Sequence, residues 1–105
     1  MIHMTLRLSL ALVATLAMTS AQAADPTAGQ AKYAATCAAC HGAAGVSIAP
    51  IYPNLAGQKD AYLITQLKAF RDGSRKNVIM EPMAKGLTDT DITNIATFLA
   101  ALKPS

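Results

Sequence analysis

Cys37, Cys40 and His41 stand in one short run, Cys37-Ala38-Ala39-Cys40-His41. Thiols three residues apart fall on the same side of a helical turn, with the imidazole projecting beside them. Beyond the first two dozen residues the chain has no other Cys or His. A tetrahedral zinc site wants four ligands, and this run supplies three. A dithiol redox pair belongs in a βαβ setting, which the chain does not show. A disulfide between Cys37 and Cys40 would close a loop too small to restrict the unfolded chain much. The reading that uses all three residues is the C-x-x-C-H attachment of a c-type haem. Both thiols reach vinyl groups of one porphyrin as thioethers, and the imidazole projects under the ring to the iron. The small Ala38 and Ala39 let the backbone lie close to the macrocycle.

The ligand inventory depends on where the working chain starts. Residues 1–23 read as a secretory signal peptide: a weakly positive start with His3 and Arg7, an apolar run over residues 8–18, and the small-x-small site Ala21-Gln22-Ala23. As a helix those eleven apolar residues would extend only about 16 Å against a hydrocarbon core of about 30 Å, so a cleaved leader fits better than an anchor. Cleavage after Ala23 leaves a single domain, residues 24–105, with 8 Lys+Arg and 6 Asp+Glu. That balance is too nearly neutral for nucleic-acid binding, and no Arg/Lys-rich run or aromatic ladder supports such a role. It also leaves no stable membrane insertion. The whole chain of 105 residues is too short for a TIM barrel or a full dinucleotide-binding fold.

Within residues 24–105 the proximal ligand is His41, and a bis-histidine site is ruled out. The sixth position falls to a thioether, a lysine or nothing. Met80 and Met83 are the only thioethers left; Met80 is preferred, with Met83 the second candidate.

Three segments with helical spacing must position these groups. The first covers 26–36, with Asp25 as N-cap and Pro26 at the first helical position. Gly29, Tyr33 and Cys37 recur on one of its faces. The second covers 60–71, with the stripe Leu63, Ile64, Leu67, Phe70 and Gly73 just after it. The third begins at Thr88, whose Thr-x-x-Asp box with Asp91 is a helix-start signature; Leu87 can staple to Ile92 across it. Its buried face is Ile92, Ile95, Ala96 and Leu99, and Lys103-Pro104 ends it. Two long stretches, 42–59 and 72–87, show no regular pattern. Loops of this length in so small a domain need a job, and so do their apolar residues Ile48, Ile51, Leu55, Val78, Ile79, Met80 and Met83. A flat apolar cofactor would give them something to pack on. A domain of this size is otherwise marginal.

Together these residues resemble the class I cytochromes c, in particular the small soluble bacterial members and single domains of their two-haem relatives. Beyond the haem motif the resemblance rests on the runs Pro53-Asn54-Leu55-Ala56-Gly57-Gln58, Tyr62-Leu63 with Gln66-Leu67 and Phe70, Gly73-Ser74-Arg75, and Leu87-Thr88-Asp89 with Asp91-Ile92. It implies an all-α cytochrome c fold, three main helices and long loops around one haem c attached through Cys37 and Cys40. It also implies an axial Met eight residues before the cap of the last helix, the spacing of Met80 to Thr88. The first and last helices are expected to cross where Gly29 and Tyr33 meet Ile95 and Phe98. A proline carbonyl is expected to hold the proximal imidazole, Pro50 before Pro53, and Met83 to pack on the haem. Unlike the two-haem relatives, this chain has a single haem motif.

His/Met ligation would fill both axial positions, which implies outer-sphere electron transfer rather than catalysis. The expectation is a one-electron carrier of the bacterial periplasm, not an enzyme, meeting redox-partner proteins through a basic rim drawn from Lys32, Lys59, Lys68, Arg71, Arg75, Lys76 and Lys85. One alternative is a haem-bearing subunit of a dehydrogenase complex, for example a flavin-linked one. Another is an open-iron protein reactive toward gases or peroxide.

Overall fold

The computed structural model describes residues 10–15 and 23–105. Most of the expected leader lies outside the described residues. Those that are described form five helices and no strand: α1 (Pro26–Thr36), α2 (Ala38–His41), α3 (Asp60–Asp72), α4 (Met80–Lys85) and α5 (Asp89–Ala100). The all-α class follows, and α1, α3 and α5 are the three expected helices.

Their ends form for local reasons. The Asp25 carboxylate accepts from the Thr27 and Ala28 amides at 2.9 and 3.2 Å, satisfying donors that the first turn of α1 leaves free. At the start of α5 the Asp91 amide donates to the Thr88 hydroxyl and the Thr88 amide to the Asp91 carboxylate, both at 3.0 Å. The accepted hydrogen bond from the Thr88 amide holds the Asp91 carboxyl below the usual carboxylate range. α3 stops at Gly73, where φ of 82° turns the chain and the Arg75 amide returns to the Ala69 carbonyl at 3.1 Å.

α1 crosses α5 where Gly29 and Tyr33 meet Ile95 and Phe98. A Cβ on Gly29 would collide with the Asn94 carbonyl and lie 2.9 Å from the Ile95 amide nitrogen, so the backbones touch there. The Tyr33 and Phe98 rings pack 5.6 Å apart at 53°. The Asp25 amide donates to Asn94 Oδ1 at 2.8 Å and ties the start of α1 to α5. Leu63 of α3, Leu87, Ile92, Ile95 and Leu99 complete the core, with Leu87 and Ile92 buried on either side of the Thr88 cap.

The second long stretch corrects the sequence reading, because it contains α4. Asn77 organises it: Oδ1 accepts from the Ile79 and Met80 amides, both at 2.9 Å. The Glu81 amide donates to the Asn77 carbonyl at 3.1 Å, and the Asn77 amide to Glu81 Oε2 at 3.3 Å. Pro82 lies in the first turn, where a missing N–H breaks no helical bond.

The first stretch, 42–59, stays irregular but is anchored. The Gly45 carbonyl accepts from the Leu55 and Ala56 amides at 2.7 and 3.0 Å, and the Gly57 amide donates to the Leu99 carbonyl at 2.9 Å.

Candidate functional site

Cys37 is the joint between α1 and α2. Its amide donates to the Tyr33 carbonyl at 2.8 Å, and its carbonyl accepts from the His41 amide at 3.0 Å. Cys37, Cys40 and His41 therefore share one turn. The two thiols are not bonded to each other and both are partly accessible. Burial pushes the Cys37 thiol up; nearby Cys40 adds to this and Lys32 opposes it.

Gly42 ends the turn with φ of 85°, and a Cβ there would strike the Val46 carbonyl. The Tyr33 hydroxyl donates to the Gly42 carbonyl at 2.6 Å. Burial, helped by the Cys37 thiol, pushes the Tyr33 phenol up to about 12. It therefore stays a neutral donor at any physiological pH and fastens the exit from the motif to α1. Nothing in the residue spacing signals this bond.

His41 is buried, at 7% exposure. Its Nδ1 lies 2.9 Å from the Pro53 carbonyl. A carbonyl can only accept, so Nδ1 carries a proton there and Nε2 is the nitrogen left to meet a metal. The expected partner, Pro50, is corrected to Pro53. Pro50 lies inside the turn closed by the Tyr52 amide on the Ala49 carbonyl at 3.1 Å, and the chain reaches the imidazole only after that turn. The Tyr52 ring stands beside His41, with centroids 6.2 Å apart.

Met80 is half-buried at the first position of α4, its amide held by Asn77. Met83, one turn on, is 45% exposed. An Asn four residues before a Glu is the sequence signal for this cap.

The donor set suits a haem: two free thiols on one turn, a buried imidazole with a free Nε2, and a thioether on a braced helix start. Ile48, Ile51, Val78 and Ile79 are exposed on the two long segments. Single exposed aliphatics need no explanation, but four on these two segments fit the expectation that the segments pack on an apolar cofactor.

The basic residues are partly committed. Arg71 pairs with Asp89 at 2.6 Å and donates to the Leu87 carbonyl, Lys76 reaches Glu81 at 3.7 Å, and Lys32 reaches Asp91 at 3.9 Å. Arg75 lies over the Phe70 ring, 4.5 Å from its centroid, and donates to Gln66.

The Cytochrome c family profile matches residues 26–103. The chain is 50% identical over 82 residues to cytochrome c-554(548) of Halomonas halodenitrificans, covering 75% of this chain and 98% of that protein. It is 49% identical over 73 residues to a thiosulfate dehydrogenase electron acceptor of Thiomonas intermedia, covering 69% of this chain and 34% of that one. The crystal structure of reduced recombinant cytochrome c4 from Pseudomonas stutzeri superposes with a TM-score of 0.73 at 41% identity, over 79% of this chain and 48% of that one. The chain thus spans nearly all of one relative and about a third to a half of the other two. Fold, motif and relatives agree: this chain belongs to the cytochrome c family, carries one haem c bonded through Cys37 and Cys40, and serves electron transfer.

Proposed function

We propose that the chain is a freely diffusing one-electron carrier of the bacterial periplasm, released there by cleavage after Ala23, in which His41 and Met80 would hold the haem iron. The observation that carries this reading is the state of His41, buried and with Nδ1 committed to Pro53. Haem bound here supplies a one-electron Fe(III)/Fe(II) couple. The protein's own residues do the rest. Pro53 fixes the tautomer and direction of the imidazole. Asn77 fixes the backbone of Met80. The Tyr33 hydroxyl and the α1–α5 contact keep the Cys37–His41 turn from shifting as charge changes. With His41 and Met80 both holding the haem, its iron would offer no place to a substrate, which favours electron transfer over catalysis.

Docking rests on Lys59, Lys68 and Lys85, which are exposed and have no ion pair among the described residues. An acidic redox protein is the partner such charges suit, and Lys32, Arg71 and Lys76 add to them only where their own pairs open. Stopped-flow mixing of the reduced chain with an oxidised acidic redox protein tests both points. Electron exchange is expected, slowing several-fold as ionic strength rises past about 0.1 M, where the screening length is about 10 Å. Absence of exchange would overturn the carrier reading, and a rate indifferent to salt would overturn the basic surface.

The match to a thiosulfate dehydrogenase electron acceptor favours a second reading, a haem subunit working beside a dehydrogenase. Native chromatography separates the two: a carrier elutes as the chain alone, a subunit with another polypeptide.

A further inference from the structure

The Pro53 carbonyl that meets His41 belongs to the peptide bond joining Pro53 to Asn54, and the Asn54 side chain turns back across the loop. Its Oδ1 accepts from the Ser47 amide at 2.8 Å. Ser47 in turn reaches the haem motif, its Oγ 3.3 Å from the Cys40 carbonyl and 2.9 Å from that of Ala49. The Ala49 amide donates back to Ser47 Oγ at 3.1 Å. Cys40 and His41 are chain neighbours, as are Pro53 and Asn54. The contacts therefore close a ring: His41 to Pro53, Asn54 to Ser47, Ser47 to Cys40. On its other side Asn54 Nδ2 donates to Ser105 Oγ at 3.4 Å, a long bond.

We propose that Asn54 is a positioning residue for the proximal histidine, its carboxamide holding the Pro53 carbonyl in line with His41 Nδ1–H. The inference rests on His41 being an axial ligand. The ring needs such a brace because both Pro53 and Asn54 are exposed. An open depression of about 390 Å³ is bounded by Ser47, Tyr52, Pro53 and Asn54, so this stretch of chain lies at its wall. Nothing else in the loop fixes that peptide as closely. The Gln58 side chain reaches the Asn54 carbonyl only at 3.4 Å, and the Gly45 anchor acts one to two residues further on, at Leu55 and Ala56. Without the carboxamide the 47–54 turn opens, and water competes with the imidazole for the Pro53 carbonyl. The spacing of Ser47 and Asn54, seven residues apart with two prolines between them, gives no hint of the pairing in the sequence.

The test is proton NMR of the oxidised haem protein, where the ring protons of an axial histidine are displaced by the paramagnetic iron and its Nδ1–H can be followed as it exchanges with solvent. In Asn54→Ala this exchange is expected to speed up about tenfold, the factor that loss of one hydrogen bond corresponds to. Asn54→Asp keeps an oxygen at the Oδ1 position, and so should stay within about twofold of the parent. If Asn54→Ala does not retain haem, Asn54→Gln serves in its place, since one added methylene carries the acceptor away from the Ser47 amide and should give the same acceleration. A residue that only stabilised the loop would lower the denaturation midpoint of Asn54→Ala and Asn54→Gln while leaving Nδ1–H exchange at the parent's rate. Unchanged Nδ1–H exchange in a folded Asn54→Ala or Asn54→Gln protein would overturn the proposal. Absence of any displaced His41 ring proton in the parent would instead overturn the ligand reading beneath it, so the two failures are told apart.

Discussion

Met80→Ala is expected to abolish a weak near-infrared sulfur-to-iron band of the oxidised protein and to lower its reduction potential. Met80 occupies the first position of α4, half-buried, with its amide and that of Ile79 both held by Asn77 Oδ1 at 2.9 Å. Its backbone is thus fixed before any cofactor is considered, as a ligand to a metal needs. A thioether favours Fe(II), so its loss favours Fe(III). The expected fall is on the order of 0.1 V or more, within the roughly 0.8 V that axial ligands span. The reduced variant should also bind carbon monoxide rapidly at neutral pH, which the parent should not. Met83→Ala is the control: at 45% exposure it should leave the band in place. A band lost from the Met83 variant and kept in the Met80 variant would reverse the assignment.

Gly29→Ala is expected to be among the most damaging single-methyl additions in the molecule. The new Cβ would run into the Asn94 carbonyl and lie 2.9 Å from the Ile95 amide nitrogen. Both obstacles are backbone, so relief requires α1 and α5 to separate, and separation pulls Tyr33 from Phe98 and Asp25 from Asn94. Overpacking a tight contact costs about 1–3 kcal/mol even where side chains can yield; here about 3 kcal/mol or more is expected. A domain of this length holds only about 4–12 kcal/mol in total. Gly86→Ala provides the contrast. Gly86 has φ of −81°, and a Cβ added there would meet nothing within 4 Å, so the same methyl should be neutral or stabilising by up to about 1 kcal/mol. Denaturant midpoints of the two haem proteins measure the difference. Equal midpoints would show that the helix crossing is not close-packed at Gly29.

Much of this is readable in the residues. Asp25-Pro26 and Thr88 with Asp91 announce α1 and α5 because a cap is a local device, complete within four residues. The Gly29/Tyr33 crossing with Ile95/Phe98 is accessible only through resemblance, since it joins residues more than sixty apart. α4 escapes a reading of periodicity because six residues containing Pro82 carry no helical stripe, and its organiser, Asn77, stands outside it. Pro53 is hard to prefer over Pro50 because the choice depends on how the chain turns at Ala49–Tyr52, a three-dimensional detail that proline spacing does not encode. Three of the seven basic residues expected at a docking rim have carboxylate partners, and a charge count cannot reveal pairing across separate helices. The motif itself, Cys37 to His41, is legible in full, because its chemistry lies within a single turn of chain.

The most direct measurement is the intact mass of the chain exported from a host able to attach haem covalently. The account predicts a coloured protein with the mass of residues 24–105 plus one haem, retained after denaturation. A folded, colourless product with the mass of the bare polypeptide would contradict it.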